Sequence, residues 1–545
     1  MKLFLFTFFL CWILPASVFG QTNATSKLMT YGNQAGGLMD VTLSELTADA
    51  NTYLLADLGL DLNNNFFLRD QYQTGDDQDV LSITGGPSFS AIYTGVSSAN
   101  GQFSATQLQL PGTLPEGFAI YWQGFTQHPQ GGPSFFQDFS HYRLQVIQST
   151  DQWHASAAQA PAAVANLAWT VKERGLQNRA TKIFVCGGGP AVLARDDVPY
   201  DTSATAWIYD VSTEQNSWTG SMLESRAFHT ATRLDDGRIL VCGGVQGPLG
   251  GPPPLPYYTQ VLNSAEIWQE GSGFTPLPNM GFHRAGHTAT LIESGPLAGM
   301  VLIAGGVQGG SNHELFGAAE IFYTGLSTTE IFDPVQNLFF PGPSLPEPKA
   351  GAQALWLADD RLAIFGGATR RRIGPISIPD FSDLVTFFDP NSLSFGNHLS
   401  MPTKRVLFGM TELSNGWVAI VGGAGGDTLN PRALSEVELF SPQSQQFHSL
   451  PDLPIGVSFP GVVTASNGDL VVAGGGNGDV FHPDPLKTVF RWQSGGSSWI
   501  RLADLPVEQG GGATECLEDG LLWVSCGETG LADTATNSTV KLPLP

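Results

Sequence analysis

Basic residues are scarce in this sequence: 25 Lys and Arg stand against 49 Asp and Glu, a formal net charge of −24. So acidic a surface repels phosphate backbones, which argues against nucleic acid as a partner. It suits solubility in an exported protein, with weak cation binding as the lesser use. Charged residues of both signs make up only 14%, while Gly numbers 65 and Pro 36. Few Lys and Glu with much Gly, Pro and aromatic side chain point away from long helices and toward short strands and turns. The glycines follow no Gly-X-Y period, which excludes collagen. Cysteine is nearly absent, at five residues. Long apolar runs are absent too, except Leu3 to Leu14, which is short for a membrane span.

That one run follows Lys2 and precedes Ser17-Val18-Phe19-Gly20, the small residues a signal peptidase reads. Residues 1–20 are therefore expected to be a signal peptide, with Gln21 as the new N-terminus. The mature protein is then secreted, periplasmic or held at the cell surface, without a membrane span. At 545 residues and 42% hydrophobic, it has material for two or three domains.

Self-similarity is the strongest positive signal. Six apolar runs end in a glycine pair: Ile183–Gly188, Ile239–Gly244, Val301–Gly306, Leu362–Gly367, Val418–Gly423 and Leu470–Gly475. A seventh, Leu522–Gly527, has Cys526 in place of the first glycine. First-glycine positions 187, 243, 305, 366, 422, 474 and 526 are separated by 56, 62, 61, 56, 52 and 52 residues. In the second copy Phe228–Leu234 reads as one strand and Arg238–Cys242 as the next, joined by a two-residue turn at Asp236-Gly237. Ser264–Trp268 is a third strand, and Phe274 lies in a fourth. Four short antiparallel strands per period make one propeller blade.

These residues resemble the kelch repeat, as found in the central domain of galactose oxidase. The pattern is an apolar strand ending in Gly-Gly, then an aromatic followed by a Trp. Tyr209 before Trp218 and Trp492 before Trp499 follow it; Phe332 before Phe339, Phe388 before Phe395 and Phe440 before Phe447 put Phe in the late position. The resemblance covers about residues 150 to 545. The expected fold is all-β: a kelch-type propeller over 148–545, preceded by a small β-sandwich-like domain over 21–147.

The last hairpin is followed by one possible strand, Ser538 to Leu542, before the chain ends. Asp151-Gln-Trp-His154 reads like the fourth-strand sequence Asn216-Ser-Trp-Thr219. A strand around Trp153 is therefore expected to complete the last of seven four-stranded blades, removing two exposed edges. Six blades is the fallback. The glycine pairs are read as backbone turns or close packing, since no helix follows them to cradle a phosphate. Cys186 and Cys242 hold one repeat position in adjacent blades, farther apart than the ~7 Å a disulfide tolerates. With a two-residue turn at Asp519-Gly520, Cys516 faces Trp523 and Cys526 falls opposite Ala513, so that pair is out of register too. Buried free thiols are expected.

In the N-terminal region Ser104–Leu110, Phe118–Trp122 and Tyr142–Ile147 alternate as strands do. Asp61 to Asn65 has alternate oxygens but lacks the glycine and distal glutamate of a calcium loop, so a surface turn is expected.

The likeness to galactose oxidase implies a copper-radical site: a tyrosine cross-linked to cysteine, a second tyrosine beside a histidine in a later blade, and a last histidine beyond. The propeller tyrosines are Tyr200, Tyr209, Tyr257, Tyr258 and Tyr323, none next to a histidine; His398, His448 and His482 are the only late histidines. The constellation has no place here, and no cofactor or metal is expected. Nor is there a nucleophile elbow, a His-Glu-X-X-His or a redox Cys-X-X-Cys.

Two groups remain. Arg226 and Arg284 precede His229 and His287 by three residues, and Lys349 and Arg405 match the arginines in the next blades. They form either a partial basic ring taking an anionic ligand at the axis, or carboxylate pairs that fix inter-blade loops. The long second-to-third-strand loops, all on one face, carry Tyr257, Tyr258, His313, Phe316, Tyr323 and the run Arg370, Arg371, Arg372. Aromatics and arginine on a rigid scaffold suit recognition. The sequence thus points to a monomeric binding protein for a protein or glycan partner. The alternative is a secreted carbohydrate-active hydrolase or lyase with its site at the propeller mouth.

Overall fold

The computed structural model describes residues 152–175, 178–191, 200–249, 258–315, 323–373, 376–428, 430–478, 483–530 and 534–544, and eight strands nearer the N-terminus. Every named element among them is a strand, and no described helix is long and apolar enough to cross a membrane. The chain divides into two compact units, mainly between Gln152 and Trp153.

The first unit holds two antiparallel sheets. One has the order Lys27–Tyr31, Leu38–Ser44, Phe103–Gln109. In the other, Asn51–Asp57 lies between Phe89–Val96 and Ala119–Gln127, and Phe136–Gln137 and Arg143–Val146 also pair with Ala119–Gln127. The alternating stretches fall on three of these strands. The signal segment and Asp61–Asn65 lie outside the described residues.

The second unit is seven four-stranded antiparallel sheets. Blade 1 is Ala168–Arg174, Ala180–Cys186, Ala206–Asp210 and Gln215–Trp218. Blade 2 is Thr230–Arg233, Ile239–Cys242, Ala265–Gln269 and Gly273–Pro276. The first strands of blades 3 to 6 are Thr288–Leu291, Gln353–Trp356, Gly409–Glu412 and Gly461–Thr464. Each second strand is interior to a sheet with a blade on either side. Both phases of its pleat are therefore apolar, and Ile239–Cys242, Val301–Ala304 and Leu362–Phe365 are buried at every residue. Cores form between blades: Leu240, Cys242 and Ile267 of blade 2 cluster with Val301, Ile303 and Phe332 of blade 3. Phe in the late position keeps the aromatic pairing across third and fourth strands. Ring centroids lie 5.0 Å apart at Phe332–Phe339 and 5.6 Å at Trp492–Trp499.

Blade 7 is Ala513–Cys516, Leu521–Ser525, Thr539–Pro543 and, from the other end of the propeller segment, His154–Ala155. Ala155 pairs with Val540 and His154 with Lys541. The indole of Trp153 donates to Ala503 O at 2.9 Å, as Trp499 donates to Pro451 O at 2.7 Å one blade earlier. Trp153 thus occupies the late aromatic position of the repeat, and the ring closes as the sequence predicts.

The hairpin turn differs from expectation. Leu234 N donates to Arg238 O at 2.8 Å and Gly237 N to Leu234 O at 3.0 Å, leaving a three-residue loop, Asp235-Asp236-Gly237, with Gly237 at φ +85°. One extra residue in the loop moves the register by one. In blade 7 Cys516 accordingly faces Leu522, and Ser525 rather than Cys526 faces Ala513. Cys186, Cys242, Cys516 and Cys526 are all buried, and none of them forms a disulfide.

Candidate functional site

The glycine pair organises the face where each second strand ends. The second glycine points its N–H at the backbone carbonyl that opens the next blade. Gly188 bonds Arg226 O, Gly244 bonds Arg284 O, Gly306 bonds Lys349 O and Gly367 bonds Arg405 O, all at 2.7–2.9 Å. The first glycine's carbonyl instead accepts from the cation of its own blade: Arg226 Nη1 reaches Gly243 O at 2.8 Å and Arg405 Nη1 reaches Gly422 O at 2.7 Å. Each arginine then meets a third-strand glutamate. Arg226–Glu266 is 2.7 Å, Arg284–Glu330 2.8 Å and Arg405–Glu438 2.9 Å. Lys349 has no such glutamate. It bonds Gly366 O, Ser382 Oγ, Leu384 O and Glu347, and burial brings its pKa down to about 8.

Arg226, Arg284 and Arg405 are fully buried, each with its charge paired. The anionic-ligand reading of Arg226 and Arg284 is therefore corrected. These cations staple loops to blades, and losing one member of such a pair costs about 3–5 kcal/mol. The glutamates were visible in the sequence as the recurrent Ala265-Glu266-Ile267, Thr329-Glu330-Ile331 and Val437-Glu438-Leu439.

His229 and His287 are buried beside these arginines. His229 Nε2 lies 3.3 Å from Cys186 Sγ, and His287 Nε2 lies 3.1 Å from Thr230 Oγ1 and 3.6 Å from Cys242 Sγ. Burial, reinforced by the arginines, holds His229 well below its ordinary pKa and brings His287 to about 3. Burial likewise raises both thiols, Cys242 to about 11. Neutral thiol beside neutral imidazole is not an activated nucleophile.

The residue two positions after each cation, or after Val164, Val457 and Gln509 at the same place in the other blades, lines the axial mouth. Its seven copies are Asn166, Phe228, Gly286, Gly351, Leu407, Phe459 and Gly511, and all have left-handed φ between +48° and +62°. Six backbone hydrogen bonds of 2.8–3.3 Å join successive copies in an arc from Phe459 round to Gly511, among them Gly286 N to Phe228 O and Phe459 N to Leu407 O. The arc imposes the conformation, which Gly adopts freely and Asn tolerates. For Phe228, Leu407 and Phe459 it costs roughly 1–2 kcal/mol each.

Below this collar lies an axial cavity of about 410 Å³. Its lining includes Trp169, His229, Thr230, His287, Thr288, Thr290, Gln353 and Phe408, and among the described residues no Asp, Glu, Lys, Arg or Tyr. Each first strand pairs in its sheet only with its second strand, and the first strands of blades 1 to 4 contribute residues to the lining.

Round the mouth, on the same face, the second-to-third-strand connections of blades 2, 4, 5 and 6 contain paired strands. Ala368–Ile373 runs antiparallel to Ile376–Phe381 and carries Arg370, Arg371 and Arg372. Val245–Leu249, Tyr258–Val261 and Glu314–Leu315 form one sheet that joins the loops of blades 2 and 3. Tyr323 is 56% exposed. His313 stacks on His283 at 3.6 Å and bonds Gln308 O at 3.0 Å, so it anchors its loop. Arg370 donates to Gly325 O at 3.4 Å. Tyr257, Phe316 and the side chains of Tyr258, Arg371 and Arg372 lie outside the described residues.

No protein-family model matches the chain. Alpha-scruin of Limulus polyphemus, a kelch-repeat protein, is 23% identical over 280 residues, which is 51% of this chain and 27% of that protein. The match therefore spans well under half of its relative. A fungal alcohol oxidase of the AA5 family, solved in complex with copper, has a TM-score of 0.50 at 15% identity, covering 73% of this chain and 77% of its own. YjhT has a TM-score of 0.42 at 15% identity, covering 63% of this chain and 99% of its own. At such identities the likeness to the oxidase is one of fold, and the chain is a seven-bladed kelch-type propeller.

The residues present do not fit the oxidase's copper. Tyr200 is buried with its hydroxyl on Ala191 O at 2.8 Å, and Tyr209 is buried against Ser156 at 3.0 Å. Among the described residues no three of His, Cys, Asp and Glu gather to hold a metal.

Proposed function

We propose that this is an exported interaction protein that holds a protein or glycan partner on the face bearing the second-to-third-strand hairpins. The observation that carries the reading is their construction. The loops that bring tyrosine and an arginine triplet to one face are hydrogen-bonded strands. Contacts on ordered strands lose little conformational entropy on binding. Arginine and tyrosine are the side chains that most often anchor an interface. In a chain of net charge −24, three consecutive arginines are a local reversal of sign. Under the alternative reading, a carbohydrate-active hydrolase or lyase, a hydrolase would need two facing carboxylates, and the described residues lining the axial cavity include none.

The test is a glycan array with thermal-shift measurements on the intact mature protein. Beside it runs a variant with Tyr258 and Tyr323 changed to Ser and Arg370, Arg371 and Arg372 to Ala. A ligand-dependent rise in Tm that the variant loses supports the reading. A rise that survives in the variant, or that needs copper or calcium, overturns it.

A further inference from the structure

We infer that a stacked histidine pair latches the sheet shared by the connections of blades 2 and 3, and that acid opens the latch. The opening follows from the pair itself; that it frees a bound partner rests on the interaction reading above.

The latch is a variant of a recurrent fastener. At four blade junctions the residue just before the cation, or before Gln509 at the same place, ties down the second-to-third-strand connection of the preceding blade. Ser225 Oγ lies 2.8 Å from Thr202 Oγ1, Lys404 pairs with Asp380 at 2.8 Å, and Glu508 pairs with Lys487 at 3.2 Å. At the junction of blades 2 and 3, His283 Nδ1 donates to Val261 O at 2.7 Å. A hydroxyl pair and two ion pairs keep their charge states between about pH 5 and 8, whereas an imidazole changes its own there.

His283 does not act alone. Val261 N donates to His313 O at 2.8 Å, so one residue of the strand Tyr258–Val261 is held by both histidines. Their rings stack with centroids 3.6 Å apart and planes 4° from parallel. His313 Nδ1 in turn meets Gln308 O at 3.0 Å. A carbonyl only accepts, so both Nδ1 atoms carry a hydrogen and a neutral ring has a bare Nε2. Acid adds a proton at each Nε2, and two like charges then stand face to face. His313 is also the strained point of its turn, with φ +63°. Gly310 N to Glu314 O at 2.8 Å and His313 N to Gly310 O at 3.0 Å close that turn. The strand Glu314–Leu315 begins at the next residue and pairs with Tyr258–Val261. Repulsion between the rings therefore acts on a strained turn at the edge of the shared sheet.

Neighbouring charges leave that repulsion in place. On the loop before blade 3, Arg284 pairs with Glu330 at 2.8 Å, and Glu330 also accepts from Gly281 N at 2.6 Å. On the blade 3 connection, Glu314 accepts from Asn312 Nδ2 at 3.3 Å, and one carboxylate does not offset two imidazolium charges. Thr259, Gln260 and Val261, on the strand that both histidines hold, carry no charge. Burial first, and then the charge of a protonated His313, hold His283 below its ordinary pKa of 6.5, against the Val261 carbonyl, which favours the charged form. With a folded pKa below the unfolded one, the latch is whole above about pH 6.5 and is lost as pH falls.

Hydrogen–deuterium exchange of the intact mature protein at about pH 7.5 and pH 5 tests this, read as protection factors that divide out the intrinsic pH dependence of exchange. Peptides covering Tyr258–Val261 and residues 308–315 should lose at least about fivefold protection at the lower pH, the scale of a modest coupling. The blade 4 hairpin, Ala368–Ile373 with Ile376–Phe381, holds no histidine and should change less than about twofold. His283→Asn keeps an amide donor for Val261 O and takes no proton, so the acid-dependent loss should vanish in it. His313→Asn is the second variant, should the first alter folding, since the remaining imidazole then meets no like charge. Equal protection at both pH values, a loss shared by the blade 4 hairpin, or an acid-dependent loss that survives in both variants overturns the inference. Exchange is read without a ligand, so a blank glycan array counts against the interaction reading and leaves the latch to stand or fall on its own result.

Discussion

His229 and His287 follow a buried arginine by three residues, in a setting where an imidazolium would be both desolvated and repelled. With a folded pKa of about 3 against an ordinary 6.5, His287 binds fewer protons in the native state than in the unfolded chain between those values. Stability linked to it is complete above about pH 6.5 and is lost as pH falls toward 3. Between pH 7 and 4.5 the loss is about 2–3 kcal/mol, at about 1.4 kcal/mol per pH unit. Denaturant unfolding at the two pH values should show His287→Gln losing less than the parent by that amount. Equal losses would mean that this imidazole titrates normally. The recurrent Arg-X-X-His was legible in the sequence. Its neutrality was not, because desolvation depends on what packs around a residue.

At the scale of the element, the glycine pair does more than end a strand. A methyl group on Gly244 would lie 2.6 Å from Ala227 O, at a φ of +96°. Gly271, in the turn before the fourth strand of blade 2, has φ +77° with nothing within 4 Å of the added carbon. Gly271→Ala should therefore cost only the left-handed penalty, about 1 kcal/mol. Gly244→Ala adds a clash with backbone and should cost more than about 3 kcal/mol. Calorimetric Tm values for the two variants test the contrast; similar shifts would show that the loop under Gly244 can yield. The hairpins teach a related lesson. Asp236-Gly237 marks the turn, but loop length is decided by which hydrogen bond closes it, and Leu234 to Arg238 closes it one residue wider than the dipeptide suggests.

At the scale of the whole molecule, closure is by the strand His154–Ala155, which pairs with Val540 and Lys541, while Trp153 just before it donates to the carbonyl of Ala503, 350 residues on. Ser156 N bonds Thr539 O at 2.9 Å, Gly527 N bonds Val164 O at 2.8 Å, and Lys541 pairs with Glu214. Deleting residues 148–160 removes the fourth strand of blade 7 and exposes a sheet edge. Tm should fall on the order of 10 °C; an unchanged value would refute closure by this strand.

Repeat spacing, the aromatic order and the echo of Asn216–Thr219 in Asp151–His154 determined the propeller, its seven blades and its closure from sequence alone. Those are properties of local pattern, and a repeat states its pattern many times over. Only the tertiary structure decided that the basic ring is internally neutralised, that the described lining of the axial cavity holds no Asp, Glu, Lys or Arg, and that Phe228, Leu407 and Phe459 are held left-handed. Each of these depends on groups far apart in the chain. The carboxylate that pairs a cation, and the arc of carbonyls that imposes a φ, exist only once the blades have met.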